Sequence, residues 1–235
     1  MDVPLLFVDE DVLAIHKPAG LPSLPDGYDP AAPHVKSVLE PEFGRLWVVH
    51  RLDKDTSGVL LLARNAAAHK ALNTQFDGHR VRKVYHALVE GNPPWESITL
   101  DAPLRPDGDR RHRTVPHPQG KSAVTHVQVL ERFRCDALPK SAMRRTLSPL
   151  SLVEAIPETG RTHQIRAHLA FAGFPLVSDE LYGDATGSPA SPCIPRCALH
   201  ACSITFDHPT TGESLCIEAS YPDDFNSALQ ALRTV

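Results

Sequence analysis

The feature that most restricts the fold of this chain is its proline content, because 22 of its 235 residues are proline. This share is nearly twice the roughly 5% that is usual in proteins. Proline lacks a backbone N–H and has a fixed φ, so it interrupts helices and is excluded from the middle of sheets. We therefore expect many loops and strand ends, and few long helices.

Short apolar runs rich in strand-forming residues occur along the whole chain. Near the N-terminus, "LLFV" and "VLAI" flank an acidic turn, and "GVLLLAR" follows the polar turn "DKDTSG". The segment "KVYHALVEG" alternates between two faces, with Tyr85, Ala87 and Val89 on the same one. These runs do not alternate regularly with helices, which predicts an α+β fold with a mixed, largely antiparallel central sheet and flanking helices.

Three segments have the apolar spacing of an amphipathic helix. They are "AAAHKALNTQF" after the capping residue Asn65, "HQIRAHLAFA" with Thr162 as a possible cap and Gly173 as a stop, and "DDFNSALQALRTV". No internal repeat and no linker divides the sequence, so we predict one domain over residues 1–235.

The N-terminal segment and the cysteines bear on location. "MDVPLLFVDEDV" carries acids where a signal peptide carries basic residues. No apolar run approaches the roughly 18 residues that a membrane span needs. Five cysteines without a secretory signal are typical of reduced thiols in a cytosol. We therefore predict a cytoplasmic protein with no membrane partner, and a monomer by default.

The overall charge does not indicate a nucleic-acid partner, but the charge distribution is more suggestive. The net charge is −4 and the isoelectric point is about 6.3. Basic residues nevertheless cluster in three loops, "GHRVRKVY", "GDRRHRTVPHPQGK" and "PKSAMRRT". Solvated surface loops and contacts to a polyanion both account for such clusters.

Nucleotide and zinc sites are disfavoured by their spacing. "QGKS" ends like a phosphate-binding loop, but Val115 stands where that motif needs glycine. Cys193, Cys197, His200 and Cys202 do not form a pair of C-x-x-C knuckles, and the last two lie in a predicted strand. We expect these thiols to be packed rather than bound to metal.

The stretch "HRLDKDTSGVLLLARN" places two carboxylates beside a strongly apolar segment. Periodicity does not separate Asp53 from Asp55, and either one has the position of a turn-capping residue between strands. Arg166 lies at the edge of the apolar stripe of its helix. From there its guanidinium can reach inward to a carboxylate or extend along the surface to water.

The same stretch resembles the signature of the RluA-type pseudouridine synthases, which isomerise uridine in ribosomal or transfer RNA. Four more segments resemble that family in the family's order, and together they cover most of residues 5–219. They are "VDEDVLAIHKPAGLP", "RKVYHALVEG", "ETGRTHQIRAHLAFAGFPLVSDELYG" and "LHACSITFDHPTTGE". The resemblance implies the catalytic fold of that family, with a central RNA-binding cleft.

The resemblance also assigns the site. It implies that Asp53 is the catalytic carboxylate, that Tyr85 lies against the target uracil, and that Arg166 forms an ion pair with Asp53. Lys17, Arg51 and His163 fall on motif positions with either structural or RNA-contacting roles. The candidate RNA contacts are Lys17, Arg51, Arg80, Arg82, Lys83, Arg110, Arg111, Arg113, Arg161 and His163.

The implied reaction needs no cofactor. The base is detached from the sugar, rotated and rejoined through a ring carbon, with no redox change and no group gained or lost. Asp53 either adds to the anomeric carbon of the sugar or removes a proton from the neighbouring carbon. We expect no metal and no nucleotide cofactor, and an RNA substrate with the target base flipped out of its stack.

The chain departs from many relatives in its architecture. The first motif begins within a few residues of Met1, so we expect no separate N-terminal RNA-binding domain. Substrate choice is then expected to depend on the loops at residues 107–122 and 135–149, both longer than an ordinary loop.

Overall fold

A computed structural model describes residues 3–25, 29, 31–133, 149–183 and 194–234. The chain divides into two compact units. The first unit contains Met1–Val84 and His200–Ser220, and the second contains Tyr85–Leu199 and Tyr221–Val235.

The described residues contain twelve strands and four helices. The strands are β1 (Leu5–Val8), β2 (Val12–Lys17), β3 (Trp47–Val48), β4 (Ser57–Ala63), β5 (Arg82–Glu90), β6 (Ser97–Asp101), β7 (Leu104–Arg105), β8 (Val115–Pro116), β9 (Val124–Phe133), β10 (Leu150–Pro157), β11 (Leu199–Asp207) and β12 (Ser214–Glu218). The helices are α1 (Val35–Phe43), α2 (Ala66–Asp77), α3 (Gln164–Phe171) and α4 (Asp223–Arg233).

The first unit is a sheet covered by α2. Strand β2 runs antiparallel between β1 and β4, and β4 pairs in parallel with β11, which forms an antiparallel hairpin with β12. Leu72 of α2 is fully buried against Leu61 and Phe206 of the sheet. Asn65 caps α2, because its Oδ1 accepts a hydrogen bond from the Ala68 amide at 2.8 Å.

Gly58 permits the parallel pairing of β4 with β11. It has φ +115° and lies opposite Ala201 in the register. A Cβ at this position would lie 2.2 Å from the carbonyl oxygen of Ala201, far inside van der Waals contact. Glycine is therefore required here both by the dihedral angle and by the neighbouring backbone.

The second unit is an antiparallel sheet with the strand order β5-β10-β9-β6, accompanied by the small pair β7 and β8. Helix α4 buries Phe225 and Leu229 in a core with Leu88 and Leu152. Helix α3 packs Ala167 in a smaller cluster with Leu104, Ala123 and Tyr182. Helix α3 carries Arg166, one of the predicted site residues.

The predicted α+β class with a mixed, largely antiparallel sheet is confirmed. The sequence analysis did not identify α1, which contains Pro41, or β10. Thr162 is not the cap of α3, since His163 occupies the N-cap in the left-handed conformation at φ 53°. Most of the loop at 135–149 lies outside the described residues. Within the parts of the chain that are described, no helix is both long and apolar enough to cross a bilayer.

We expect Gly58→Ala to destabilise the protein much more than Gly212→Ala. Both glycines have positive φ, but nothing lies within 4 Å of a Cβ at Gly212. The control should lose about 1–2 kcal/mol from its dihedral angle alone. Gly58→Ala adds the clash with Ala201. Urea denaturation measures both free energies of unfolding, and equal losses would contradict the account of the strand pairing.

Candidate active site

Asp53 lies in the turn that precedes β4. The turn is closed by a hydrogen bond from the Thr56 amide to the Asp53 carbonyl at 3.1 Å. The Asp53 side chain is half-buried, whereas Arg51, Lys54 and Asp55 are exposed. The structure therefore distinguishes the two aspartates by burial, which periodicity did not.

A buried lysine holds this turn to the segment that follows β2. The Lys17 side chain is completely buried, and its ammonium donates to the carbonyls of Pro18 at 2.9 Å, Leu21 at 2.8 Å and Lys54 at 2.9 Å. The Lys54 carbonyl also accepts from the Gly20 amide at 2.9 Å. Of the two roles left open for Lys17, this burial favours the structural one.

Ser23 fixes the residue on the other side of Asp53. Its hydroxyl donates to the Leu52 carbonyl at 2.8 Å and accepts from the Leu52 amide at 3.1 Å. The backbone is thus tied down at Leu52 and at Lys54. Asp53 is held between two anchored residues, so its backbone position is set before any substrate arrives.

A buried serine–histidine pair secures the start of β4. Ser57 and His200 are fully buried, with the Ser57 hydroxyl 2.9 Å from His200 Nδ1. His200 Nε2 lies 3.1 Å from the carbonyl of Ala219, which only accepts. Nε2 therefore carries the proton, and Nδ1 accepts the hydrogen bond from Ser57. This pair joins β4 to the C-terminal hairpin of the unit.

His50 supports the turn as a neutral ring. Its Nε2 accepts from the Leu61 amide at 3.0 Å, and its ring stacks on Phe76 with centroids 5.0 Å apart. Burial, assisted by the charge of Lys83, lowers the pKa of His50 to about 3. Burial also lowers the pKa of Lys83 to about 8. His50 is therefore uncharged at neutral pH, so its Nε2 can accept the hydrogen bond from the Leu61 amide.

In the second unit, Arg166 forms an ion pair with Asp179 through two hydrogen bonds. Arg166 Nε lies 2.7 Å from Asp179 Oδ2, and Nη2 lies 2.8 Å from Oδ1. The Asp179 side chain is fully buried and that of Arg166 is 12% exposed. Of the two positions left open for Arg166, the structure has the inward one, with Asp179 as the carboxylate. The sequence analysis missed Asp179, because nothing in the spacing of the two residues indicates their contact.

The Asp179 carboxylate is ionised although it is buried. Burial opposes ionisation, but hydrogen bonds and charge from Arg166, with the amides of Tyr182 and Leu181, outweigh it and hold the pKa of Asp179 below its ordinary value. Tyr182 covers the pair, with its ring centroid 5.1 Å from Arg166 Cζ. Burial raises the pKa of the Tyr182 hydroxyl.

Tyr85 belongs to the second unit and lies in β5 opposite Ala155 of β10. It is 8% exposed, and Ala87 and Val89 on the same strand are fully buried. The face of β5 that Tyr85 shares with Ala87 and Val89 is therefore apolar and buried. Asp53 belongs to the first unit and Arg166 to the second.

Some of the predicted RNA contacts are exposed side chains, and others form hydrogen bonds or ion pairs with neighbouring groups of the protein. Arg51, Arg82 and Arg110 are exposed. Arg80 is also exposed, with Nη1 3.7 Å from a carboxylate oxygen of Asp207.

Four other predicted RNA contacts bond to neighbouring groups in the second unit. Arg111 Nη2 donates to the Glu180 carbonyl at 2.7 Å, and Arg161 Nε donates to the Ser122 carbonyl at 2.9 Å. The remaining two bonds join Arg113 Nε to Asp109 Oδ2 at 2.6 Å and His163 Nδ1 to the Tyr182 hydroxyl at 3.2 Å.

The described residues include no group of three or more His, Cys, Asp or Glu side chains arranged to hold a metal ion. Cys197 is buried and Cys202 is partly buried in β11, while Cys193 lies outside the described residues. Both nitrogens of His200 make the hydrogen bonds described above. His200 is therefore a structural residue of the first unit.

Known sequences and structures identify the class of protein to which this site belongs. The sequence profile of the RNA pseudouridylate synthase family matches residues 11–171. The chain is 37% identical to the uncharacterized RNA pseudouridine synthase YlyB of Bacillus subtilis, over 99% of this chain and 74% of YlyB. It is 36% identical to ribosomal large subunit pseudouridine synthase D of Pseudomonas aeruginosa, over 99% and 72% of the two chains.

A solved structure agrees with these sequences. Human RNA Pseudouridylate Synthase Domain Containing 1 superposes with a TM-score of 0.74 at 28% identity, over 100% of this chain and 96% of that one. The chain therefore belongs to the RNA pseudouridylate synthase family. It is an RNA pseudouridine synthase, an isomerase that acts on uridine in RNA, and a catalytic aspartate is the general feature of its family.

We expect Lys17→Met to lower both stability and turnover. Methionine fills a similar volume but leaves three carbonyls without their shared donor, at a loss of roughly 3 kcal/mol or more. Turnover should fall because the turn carrying Asp53 loses an anchor. Lys36→Met is the control, since Lys36 makes only a half-exposed ion pair with Glu40 at 3.2 Å. Chemical denaturation and an RNA pseudouridylation assay provide the measurements, and equal effects in both variants would contradict the anchoring role.

Proposed function

We propose that Asp53 is the catalytic aspartate and that the substrate is large-subunit ribosomal RNA. The observation that carries the assignment of Asp53 is its place in the family motif "HRLDKDTSG", on a turn anchored at Leu52 and Lys54. The names of relatives such as the Pseudomonas aeruginosa enzyme support a large-subunit substrate. Transfer RNA is the alternative substrate.

The chemistry fits a fixed carboxylate. The bond from the sugar to the ring nitrogen breaks, a bond from the sugar to ring carbon C5 forms, the hydrogen on C5 leaves, and the nitrogen gains a proton. Asp53 acts either by adding to the anomeric carbon or by removing a proton from the neighbouring sugar carbon. Both routes require an ionised carboxylate at a fixed position, which an anchored turn provides.

Tyr85 and Arg166 complete the proposal. We assign to Tyr85 the stacking surface for the target uracil, because its ring stands on a strand lined by buried apolar residues. The resemblance implies that Arg166 pairs with Asp53, and that pairing remains part of the proposal. A guanidinium suits the role because it presents fixed, planar donors and stays charged.

The proposed RNA contacts are to phosphates. Arg51, Arg82 and Arg110 are exposed, which leaves them able to neutralise phosphate charge. Contacts of this kind fix the register of the RNA without reading its sequence. Lys17 is left out of this set because its ammonium is buried. We further propose that the protein acts as a monomer in the cytoplasm, where its RNA substrate is found.

We expect Asp53→Asn to abolish activity and Asp55→Asn to preserve it. The amide removes the nucleophilic or basic oxygen with little change of shape, so turnover should fall at least about 1,000-fold. Asp55 is the matched control, since it is exposed in the same turn. Tritium release from RNA transcribed with C5-tritiated uridine measures the reaction, using large-subunit ribosomal RNA and transfer RNA separately.

The two substrates and two variants separate the parts of this proposal. Equal tritium release by wild type and Asp53→Asn would show that Asp53 is not the catalytic aspartate. Release from transfer RNA alone would contradict the ribosomal substrate while leaving the catalytic assignment intact.

We expect the double variant Arg110→Ala with Arg111→Ala to bind RNA more weakly and with a shallower dependence on salt. Losing two phosphate contacts should reduce the slope of log affinity against log salt by about 1–2. Lys36→Ala with Lys70→Ala removes the same charge from α1 and α2 and serves as the control. Filter binding at several salt concentrations gives the slopes, and identical slopes for the two double variants would exclude a specific role for the 110–111 pair.

A further inference from the structure

Arg166 and Asp179 of the second unit form a double hydrogen bond to which the proposed reaction assigns no role. The carboxylate binds the Nε and Nη2 edge of the guanidinium at 2.7 Å and 2.8 Å. A guanidinium is planar, so two parallel hydrogen bonds on one edge fix both its plane and the direction of the remaining nitrogen, Nη1. Asp179 therefore determines where Nη1 points.

Asp179 is itself rigidly held. Its Oδ1 accepts from the amides of Leu181 and Tyr182, both at 3.1 Å, and the thiol of Cys197 lies 3.6 Å from Oδ2. The backbone carbonyl of Asp179 accepts from the Gly183 amide at 2.8 Å, which closes the turn. A carboxylate with this many donors is held in one orientation. Its double hydrogen bond then fixes the orientation of the Arg166 guanidinium as well.

Tyr182 comes from the same turn and limits the guanidinium from a second direction. Its ring lies 5.1 Å from Arg166 Cζ, at cation–π distance. Its hydroxyl accepts from the Thr114 amide at 2.8 Å and contacts His163 Nδ1 at 3.2 Å. The segment 179–183 thus contacts the Arg166 guanidinium twice. The Asp179 carboxylate binds one edge, and the Tyr182 ring lies near the charge.

We infer that Asp179 is a positioning residue for the isomerisation, acting through Arg166. This inference rests on the proposed function, in which Arg166 serves the reacting centre. Asp179 fixes the orientation of the guanidinium before RNA binds, so that its remaining nitrogen meets the charge of the reacting groups without rearrangement. Misplacing a catalytic group by about 1 Å costs on the order of 100-fold in rate.

A second ion pair in the same unit provides a matched control. Arg196 Nε lies 2.6 Å from Asp224 Oδ2 and Arg196 Nη2 lies 3.0 Å from Oδ1, at the beginning of α4. It has the same double geometry as the Arg166 pair. We assign no part of the reaction to it.

The experiment compares Asp179→Asn with Asp224→Asn. Asparagine keeps the shape but presents an N–H to one guanidinium nitrogen, which breaks the double hydrogen bond. Single-turnover tritium release from C5-tritiated large-subunit ribosomal RNA and transfer RNA, RNA affinity by filter binding and thermal unfolding are measured for each protein. We expect Asp179→Asn to slow turnover on the order of 100-fold with RNA affinity within about threefold of wild type.

Asp224→Asn should lower the unfolding temperature and leave turnover within about threefold of wild type. A similar small effect of both variants on turnover would overturn the inference. So would a loss in Asp179→Asn that is matched by an equal loss of RNA affinity, because that would indicate general damage to the fold.

A double-variant cycle tests whether Asp179 acts through Arg166. In the Arg166→Lys background the fork is already absent, so adding Asp179→Asn should slow turnover by no more than about threefold further. If the double variant instead loses turnover by the product of the two single-variant losses, the inference is overturned. Full activity of Arg166→Lys would instead refute the proposed role of Arg166. If Arg166→Lys is too slow to measure, the comparison of Asp179→Asn with Asp224→Asn decides.

Discussion

The candidate site depends on an ammonium group kept away from water. Transferring such a charge to the interior is unfavourable unless hydrogen bonds replace its hydration. Lys17 meets this condition with three backbone carbonyls, two from its own loop and one from Lys54. Since these carbonyls come from two segments far apart in sequence, satisfying the charge also joins the segments. The aspartate turn is therefore held by a buried charge that bonds to both segments.

The second unit also contains a largely buried cation, but its partner is a carboxylate and not a set of backbone carbonyls. Arg166 is paired with a buried carboxylate, and the two charges compensate each other directly. Such a pair adds little net stability compared with apolar packing, but it defines direction strongly. Backbone dipoles suit Lys17, whose task is to hold a loop. A rigid carboxylate suits Arg166, because the role proposed for its guanidinium requires a definite orientation. Each partner matches the geometric demand on its cation.

Local chemistry explains which features the sequence predicted. Asn65 was identified as a cap because its partner lies three residues away, and several strands were visible as short apolar or alternating runs within one segment. Asp53 was identified through the family motif, not from periodicity. Asp179 was missed because its contact with Arg166 depends on how a turn packs against α3. Helix α1 was missed because Pro41 lies inside it, and the packing of Val35 and Leu39 overrides the preference of proline.

The first unit combines two segments that are far apart in sequence, Met1–Val84 and His200–Ser220, which affects the order in which it can fold during synthesis. Strand β4, directly after the aspartate turn, pairs with β11, whose residues follow more than a hundred positions later. Ser57 and Gly58 meet His200 and Ala201 only after that distant strand has emerged from the ribosome. The turn that carries Asp53 consequently waits, without this neighbouring strand, until β11 has been translated. Non-local closure of this kind is slow, and it leaves the apolar edge of β4 unpaired with β11 during that interval.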